Sequence, residues 1–349
     1  MDAFAGLLDG PRAREAFLLR SSLDPPWSLR IQDEAPLTVL SMVRGEAWAI
    51  HDGGDPVPLR TGDVAVFRGP DPYTVADDPD TAPLIAIEPG QVCRGLVPGA
   101  EKLLESFSLG VRTWGNAADG ATIMLTGTYT LDGEVSGRLL RALPALLVLR
   151  AGEWDCPVVP LLADEIVKDE PGQEAVLDRL LDLLLIAVLR AWFARPGNGS
   201  PEWYRAYGDP VVGHALRLLH HNPAHPWTVA ELGRETGASR AALARRFNDL
   251  VGEPPMAFLT GWRIALAADL LLEPGATVGS VAERVGYGSP FALSAAFKRV
   301  RGNSPQEHRA AARAAAAGED DALARVREDG EPAHTPCVPQ KALGTVKVR

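Results

Sequence analysis

Apolar and polar residues follow two successive periodic patterns along the chain. From residue 27, short alternating runs rich in β-branched and aromatic residues are separated by Gly, Pro and Asp turns. This pattern predicts the strands of a sandwich or jelly-roll barrel. The predicted strands span 37–43, 46–51, 64–68, 73–76, 84–88 and 122–131. Apolar residues at helical spacing within 1–20, among them Phe17 and Leu18, predict one or two short helices before the first strand.

Helical periodicity of the apolar residues resumes at residue 157 and predicts helices over 158–168 and 174–194. The second helix carries a broad apolar stripe made of Leu177, Leu180, Leu181, Leu184, Val188 and Leu189. This stripe is wide enough to pack on the barrel of its own subunit and also to form a dimer interface. In the second interpretation, Leu181 and Leu184 face the partner. The Gly- and Pro-rich segment 196–204 is predicted to be a linker.

Residues 227–309 contain two helix-turn-helix units joined by a long helix over 256–272. Ser239 and Ser289 occupy the same place in the two units and are 50 residues apart. The same offset relates Leu243 to Leu293, Phe247 to Phe297, Gly252 to Gly302 and Pro255 to Pro305. One offset shared by several residue types indicates a structural repeat.

Each repeated position has a local role in the predicted fold. Ser239 and Ser289 are suited to cap the second helix of each unit through a side-chain oxygen. Gly237 and Gly286 leave the first helix and are expected to adopt positive φ. Pro290 follows the second cap at the first helical position, where its missing N–H costs nothing.

Burial of the repeated Leu and Phe pairs sets which residues of each second helix point outward. In the first unit the outward residues are Arg240, Ala241, Ala244, Arg245 and Asn248. In the second unit they are Phe291, Ala292, Ser294, Ala295 and Lys298, followed by Arg299. These two sets are the predicted binding surface of the repeat.

The stretch 227–309 closely resembles the AraC/XylS-type transcription regulators. The resemblance rests on the twin motif, on Arg263, Ala267 and Leu270 in the intervening helix, and on the final Gly-Asn-Ser-Pro-Gln-Glu-His-Arg. It implies an all-α domain that binds double-stranded DNA, in a homodimer that responds to a small-molecule effector of unknown identity. RNA polymerase is a further candidate partner. Tyr287 and His308 depart from the family, which more often has Phe and Tyr there.

Within this resemblance the two units are expected to read DNA unequally. The Arg245 guanidinium can bond guanine O6 and N7 together, which makes it the best base reader. Ser294 is the polar candidate of the second unit, while Lys298 and Arg299 are expected to contact phosphates. The long joining helix would hold the two readers about 34 Å apart, one DNA turn.

The net charge of −10 alone argues against a nucleic-acid partner, but the charge is unevenly distributed. Residues 205–313 hold 13 Lys and Arg against 9 Asp and Glu, whereas 1–204 hold 17 against 30. The basic excess therefore lies on the part expected to meet phosphate.

The segment 59–73 resembles the second half of a cupin motif, with a turn at Thr61-Gly62-Asp63 between two strands. Metal-binding cupins have two close His, a Glu and a later His. This chain offers only His51, and Tyr73 stands where the later His would be. We therefore expect no metal and no cofactor, which disfavours the alternative of a cupin enzyme with an appended DNA-binding module.

The β-rich half also contains candidate sensing residues. Trp48, Tyr73, Arg112 and Trp114 are candidates for effector binding, although Arg112 and Trp114 would serve equally well at a barrel edge. An alternative regulator would sense redox state through Cys93 and Cys156, with Arg94 lowering the pKa of the first thiol. Three cysteines are too few for a disulfide framework, so free thiols are expected. The chain also shows no signal peptide and no long apolar run, which together with free thiols predicts a cytoplasmic protein.

The predicted fold class is therefore α+β. Residues 1–150 form a cupin-like jelly-roll sensor, 151–195 a helical dimerisation segment and 196–204 the linker. Residues 205–313 form the all-α domain with two helix-turn-helix motifs. The polar segment 314–349 is predicted to be disordered.

Overall fold

The computed structural model describes residues 17–100, 104, 106–110, 112–129, 133–154, 156–195, 202–314 and 335–336. They form two compact units, one rich in strands and one helical. Within these ranges, no helix is long and apolar enough to cross a membrane. The predicted helices within 1–16 lie outside the described residues.

The strand-rich unit contains fourteen strands among the described residues. They are β1 Phe17–Leu23, β2 Ser28–Ile31, β3 Leu37–Arg44, β4 Glu46–His51, β5 Val57–Arg60, β6 Val64–Arg68, β7 Tyr73–Ala76, β8 Ile85–Glu88, β9 Val92–Gly95, β10 Ser108–Gly110, β11 Thr113–Trp114, β12 Thr122–Tyr129, β13 Leu146–Leu149 and β14 Thr335–Pro336. All six predicted strands are confirmed. The helical prediction is wrong for Phe17 and Leu18, which begin β1 because the β1 backbone pairs with β12 along its whole length.

The strands form two seven-stranded sheets. One has the order β10-β11-β1-β12-β3-β6-β13, and the other the order β14-β9-β8-β2-β7-β4-β5. In the first sheet, β12 pairs antiparallel with β1 on one side and β3 on the other, so that Leu125 lies between Arg20 and Ser41. Apolar residues of both sheets form one buried core between them. The predicted jelly-roll architecture is confirmed.

Helices cover the outer face of the first sheet. The strand-rich unit includes α2 Val158–Ile166 and α3 Gln173–Phe193, whereas α1 Glu134–Leu140 belongs to the helical unit. The Tyr129 hydroxyl donates to the Leu181 carbonyl at 2.9 Å. A Cβ built on Gly127 would lie 2.8 Å from the Leu181 side chain, so glycine permits the close approach of α3 to β12.

This packing decides between the two interpretations of the stripe on α3. Leu181 and Leu184 are each 1% exposed within a single chain. The prediction that these two leucines face a partner is therefore wrong, because the barrel of their own chain buries them. The exposed apolar residues of α3 lie on another side, at Val176 and Leu183.

Seven further helices of the helical unit lie wholly within the described residues. They are α4 Glu202–Ala206, α5 Val212–His221, α6 Val229–Glu235, α7 Arg240–Val251, α8 Pro255–Leu270, α9 Val278–Arg284 and α10 Pro290–Arg301. Residues 305–314 are also helical. One apolar core lies around α6 and α7, and a second lies around α9 and α10. The long helix α8 contributes to both cores and joins them.

Candidate nucleic-acid interface and ligand pocket

The first helix-turn-helix consists of α6 and α7. Ser239 precedes α7, and its side chain accepts the backbone N–H of Ala242 at 3.2 Å. Gly237 has φ 70° between the two helices. A Cβ on Gly233 would lie 2.7 Å from the Ala238 carbonyl oxygen, so the turn crosses α6 too closely for a larger residue. The predicted capping residue and positive φ are confirmed.

The second helix-turn-helix consists of α9 and α10 and repeats this geometry. Thr277 and Ser280 form a capping box at the start of α9. Gly286 has φ 81°. Ser289 accepts the N–H of Ala292 at 3.2 Å, and Pro290 is the first residue of α10. Both halves of the sequence repeat therefore form the same local structure.

The buried and exposed faces of α7 and α10 are those that the sequence predicted. The four repeated residues Leu243, Phe247, Leu293 and Phe297 are 0% exposed. The predicted outward residues Arg240, Ala241, Arg245, Asn248, Phe291, Ala292, Ala295, Lys298 and Arg299 are all exposed. Ala244 and Ser294 are half-buried. A partner approaching this face would meet the arginines of α7 and the apolar start of α10.

The charges of α7 divide into those already paired and those that are not. Arg246 forms an ion pair with Asp209 at 2.6 Å, which ties α7 to the start of α5. Arg240 and Arg245 form no ion pair with any residue in the described ranges. Their guanidinium groups therefore remain available for phosphate or base contacts without the cost of breaking a protein contact.

Arg263 of α8 contacts the segment before the first helix-turn-helix unit and a residue of the second unit. Its guanidinium donates to the carbonyl of Pro223 at 2.6 Å and to that of His225 at 2.8 Å, just before the first unit. It also lies 5.8 Å from the ring centroid of Tyr287 in the second unit. Burial lowers the pKa of Arg263, but an arginine remains charged at physiological pH. One side chain therefore links the segment before the first unit to the second unit.

A pocket lies between the two sheets of the strand-rich unit. It opens to solvent and is lined by residues of both sheets. Apolar side chains from both sheets form most of its wall: Leu19, Leu40 and Met124 from one, and Leu29, Val75 and Ile87 from the other. A wall that is mostly apolar with a few polar groups is typical of a site for a small organic molecule.

Asp33 is the acidic group of this pocket. Its carboxylate accepts the side-chain amide of Gln91 at 2.9 Å and the backbone N–H of Ala35 at 3.2 Å. Burial raises the pKa of Asp33 despite these two hydrogen bonds. Among the described residues that line the pocket, none is Lys, Arg or His. A ligand in this pocket would therefore meet an acceptor and no cation.

Known proteins resemble both units of the chain. A family model described as Cupin matches residues 2–194, and one described as a helix-turn-helix domain matches residues 232–311. A putative AraC-like transcription regulator of Streptomyces lividans is 33% identical over 289 residues, which cover 81% of this chain and 90% of that protein. The chain belongs to the AraC-like transcription regulators. Its AraC-like domain supports DNA as the partner.

One further regulator and one solved DNA-binding domain are similar to this AraC-like regulator. The HTH-type transcriptional regulator AlkR of Acinetobacter baylyi is 25% identical over 319 residues, covering 88% of this chain and 99% of AlkR. The solved DNA-binding domain of AdpA, a global transcriptional factor in complex with a target DNA, is 36% identical. It covers 30% of this chain and 95% of that chain, with a TM-score of 0.29.

The structure separates the four predicted effector residues of this AraC-like regulator. Tyr73 and Trp114 line the pocket. Trp48 lies on β4 outside the described lining, and the Arg112 guanidinium donates to Gln173 at 2.8 Å. Sequence reasoning missed the polar lining residues Asp33, Gln91, Ser21, Thr126 and Thr128. Met124, Thr126 and Thr128 alternate along β12, so the period of a strand would have revealed that their side chains share a face.

The cysteines of the AraC-like regulator differ from the expectation of free thiols. Cys93 is disulfide-bonded, so the expectation is wrong for this residue. Cys156 is free and half-buried, and therefore does not form a disulfide with Cys93. In the described ranges, no group of three or more His, Cys, Asp or Glu side chains is arranged to hold a metal ion. His51 Nδ1 lies 3.1 Å from the Asp52 carbonyl oxygen.

A helix outside the predicted DNA-binding domain belongs to the helical unit. Helix α1 follows β12 in the chain, yet it packs on α8. The Asp269 carboxylate accepts the backbone N–H of Glu134 at 2.6 Å and that of Val135 at 3.2 Å. The Val135 side chain is buried against Trp262 and Ala265 of α8. A carboxylate thus caps the start of α1 from another helix.

Proposed function

We propose that this AraC-like protein is a homodimeric, sequence-specific transcription regulator whose strand-rich unit binds a small-molecule effector between its two sheets. The pocket bounded by both sheets and containing Asp33 is the observation that supports this proposal. The role is regulatory and not catalytic, as in the transcription regulators that resemble the chain. Its place is the cytoplasm, where its DNA partner would be.

The pocket wall favours a particular effector chemistry. Apolar side chains from both sheets would stabilise a hydrocarbon body, at roughly 25 cal/mol per Å² of apolar surface removed from water. Asp33 would accept a hydrogen bond from a hydroxyl or ammonium group at one end of that body. An anionic ligand would be placed beside a carboxylate, with no cation in the described lining to neutralise it. The proposed effector is therefore a largely apolar molecule that carries a hydrogen-bond donor.

Effector binding would act on DNA binding by a shift in population between conformations. A ligand changes such an equilibrium only if it binds one conformation more tightly than the other. Helix α1 is connected by short segments to β12 and β13, and β12 contributes Thr126 and Thr128 to the pocket wall. Because α1 itself packs on α8, we propose that it carries part of this response.

On DNA, we propose that α7 supplies the hydrogen-bonding reader. Arg245 would bond a guanine, and Arg240 and Asn248 would contact neighbouring groups. Ala241 and Ala244 would let the helix approach the base edges. Lys298 and Arg299, at the end of α10, would contact phosphates. The Arg263 contacts support a fixed spacing between the two readers.

Pairing is proposed to use the exposed apolar surface of α2 and α3. Nine large apolar side chains are exposed among the described residues, and four of them, Leu161, Val167, Val176 and Leu183, lie on or next to these helices. The described chain exposes more large apolar side chains on or next to these two helices than on or next to any other two consecutive helices, which favours this surface for an interface. A dimer would engage two half-sites and gain affinity through effective concentration.

The effector proposal can be tested with four probes that share one ring size: toluene, benzyl alcohol, benzylamine and benzoate. Thermal unfolding of the full chain would be followed with each probe, because a ligand that binds the folded state raises Tm. We expect the alcohol and the amine to raise Tm more than toluene, and benzoate to leave it unchanged. Asp33→Asn should remove most of the amine effect.

Asp119→Asn is the matched control, since Asp119 is an exposed carboxylate that pairs with Arg44. This variant should respond to the probes as the wild type does. If no probe shifts Tm, or if Asp119→Asn and Asp33→Asn respond alike, the proposed pocket is not the effector site. A measurement of operator affinity with and without benzylamine would then show whether DNA binding itself remains intact.

A further inference from the structure

An exposed aromatic ring stands at the start of the second reading helix. Phe291 is 86% exposed, whereas the other exposed large apolar side chains of the described chain lie between 38% and 55%. It follows Ser289, which caps α10, and Pro290, the first helical residue. The ring is therefore held by a capped helix end rather than by a loop.

The surroundings of Phe291 are apolar as well. Ala292 and Ala295 are exposed beside it, and Ser294 is half-buried. The basic residues of α10 lie in its last turn, at Lys298, Arg299 and Arg301. The first two turns therefore carry no side chain that can make the paired hydrogen bonds by which Arg, Asn or Gln identify a base.

A ring in water at this position is costly unless a partner covers it. Burial of a Phe side chain against an apolar partner removes its ring from water and stabilises the complex. In the major groove, the apolar feature of a base edge is the C5-methyl group of thymine. Short neighbouring side chains would allow the ring to approach that methyl group closely.

We infer that the second helix-turn-helix reads thymine methyl groups through Phe291, while the first reads hydrogen-bonding groups through its arginines. The two motifs then differ in the chemical groups that they recognise, and not only in how strongly each discriminates between bases. This inference depends on DNA binding by the helical unit and is independent of the effector proposal. It adds a specificity residue where polar side chains alone would leave the second half of the operator almost unread.

The test begins with selection of high-affinity DNA from a random pool by the full-length protein. The half of the site under α10 should contain a preferred thymine. Each thymine of that half is then replaced in turn by deoxyuridine, which removes only the C5-methyl group. We expect one replacement to raise the wild-type Kd about four-fold, the effect of one methyl group lost from an apolar contact.

Phe291→Ala should bind the thymine operator more weakly and should no longer distinguish thymine from deoxyuridine at that position. Phe291→Leu should retain part of the discrimination, because an apolar side chain remains. Val300→Ala is the matched control. Val300 is 47% exposed on the same helix but lies about two and a half turns further on, at ~3.6 residues per turn, and so points to the opposite side.

Three results would overturn the inference. The selected sites could lack a preferred thymine in that half. Deoxyuridine could weaken binding equally in wild type and Phe291→Ala, which would place the methyl contact elsewhere. Finally, Phe291→Ala could bind DNA as the wild type does and yet fail in transcription with purified RNA polymerase, which would assign the ring to a protein partner. Circular dichroism would show that each variant is folded.

Discussion

The Arg301 guanidinium lies 2.7 Å from the Glu134 carboxylate, so the end of α10 is paired with the start of α1. Both side chains are partly buried, with 21% and 30% exposure. The hydrogen bond from Arg301 lowers the pKa of Glu134. Asp269 of α8 also caps the start of α1. Helices α8 and α10 of the helical unit therefore both contact α1, which lies between β12 and β13 in the sequence.

Removal of the Asp269 cap should loosen α1. Asp269→Asn leaves one carbonyl oxygen in place of a carboxylate that accepts two backbone N–H groups, and loss of such a cap typically costs about 1 kcal/mol. We expect amide hydrogen exchange of α1 to accelerate about five-fold, the factor that corresponds to this free energy. Exchange measured by mass spectrometry on peptides of the full chain would report it.

Asp249→Asn is the control for this change, since Asp249 is an exposed carboxylate on α7. Its α1 peptides should exchange at the wild-type rate. Equal exchange of α1 in wild type and Asp269→Asn would mean that the packing on α8, and not the cap, holds the helix. The change in operator affinity caused by benzylamine can also be compared between wild type and Asp269→Asn. If the two changes are equal, α1 does not carry the effector response.

Base reading should be concentrated in α7. Arg245→Ala is expected to cost roughly 1–3 kcal/mol in binding and to relax discrimination at one base pair, because a bidentate guanine contact is lost. Ser294→Ala should cost less, since Ser294 is half-buried. Competition binding on single-base operator variants would measure both effects at a fixed salt concentration.

A charge control separates base reading from general attraction to DNA. Arg234 of α6 is exposed and is paired with Glu235 at 3.1 Å. Arg234→Ala should therefore change affinity by a similar small factor on every operator variant. A larger loss of discrimination from Ser294→Ala than from Arg245→Ala would assign the main reader to the second motif.

The dimer proposal makes opposite predictions for two adjacent leucines of α3. Leu183 is 48% exposed, whereas Leu184 is 1% exposed. Leu183→Glu should split the dimer and leave the fold intact. Leu184→Glu should instead destabilise the barrel unit by several kcal/mol, roughly 3 or more, because it buries an unpaired charge.

Sedimentation of both variants, with circular dichroism for folding, would check this pair. Glu174→Gln serves as the control, since Glu174 is exposed on the same helix but lies about two and a half turns from Leu183, at ~3.6 residues per turn, and so points to the opposite side. A folded Leu183→Glu protein that still sediments as the wild-type dimer would place the interface elsewhere. A wild-type protein that is monomeric at micromolar concentration would remove the dimer from the proposal altogether.

The sequence alone determined the features that depend on local geometry. The two serine caps, the positive φ of Gly237 and Gly286, and the phase set by Leu243 and Phe247 all follow from residues within about two turns of one another. Short alternating runs with turn residues likewise predicted six strands. Such patterns require no knowledge of which distant segments meet.

Only the tertiary structure decided which apolar surface is covered and which distant groups come together. Leu183 and Leu184 are adjacent in one run of leucines, and only the position of the barrel buries one and leaves the other exposed. Asp33 and Gln91 are 58 residues apart, and Glu134 and Arg301 are 167 apart. Contacts at such separation depend on chain topology, because period and propensity specify the face of an element but not its neighbour.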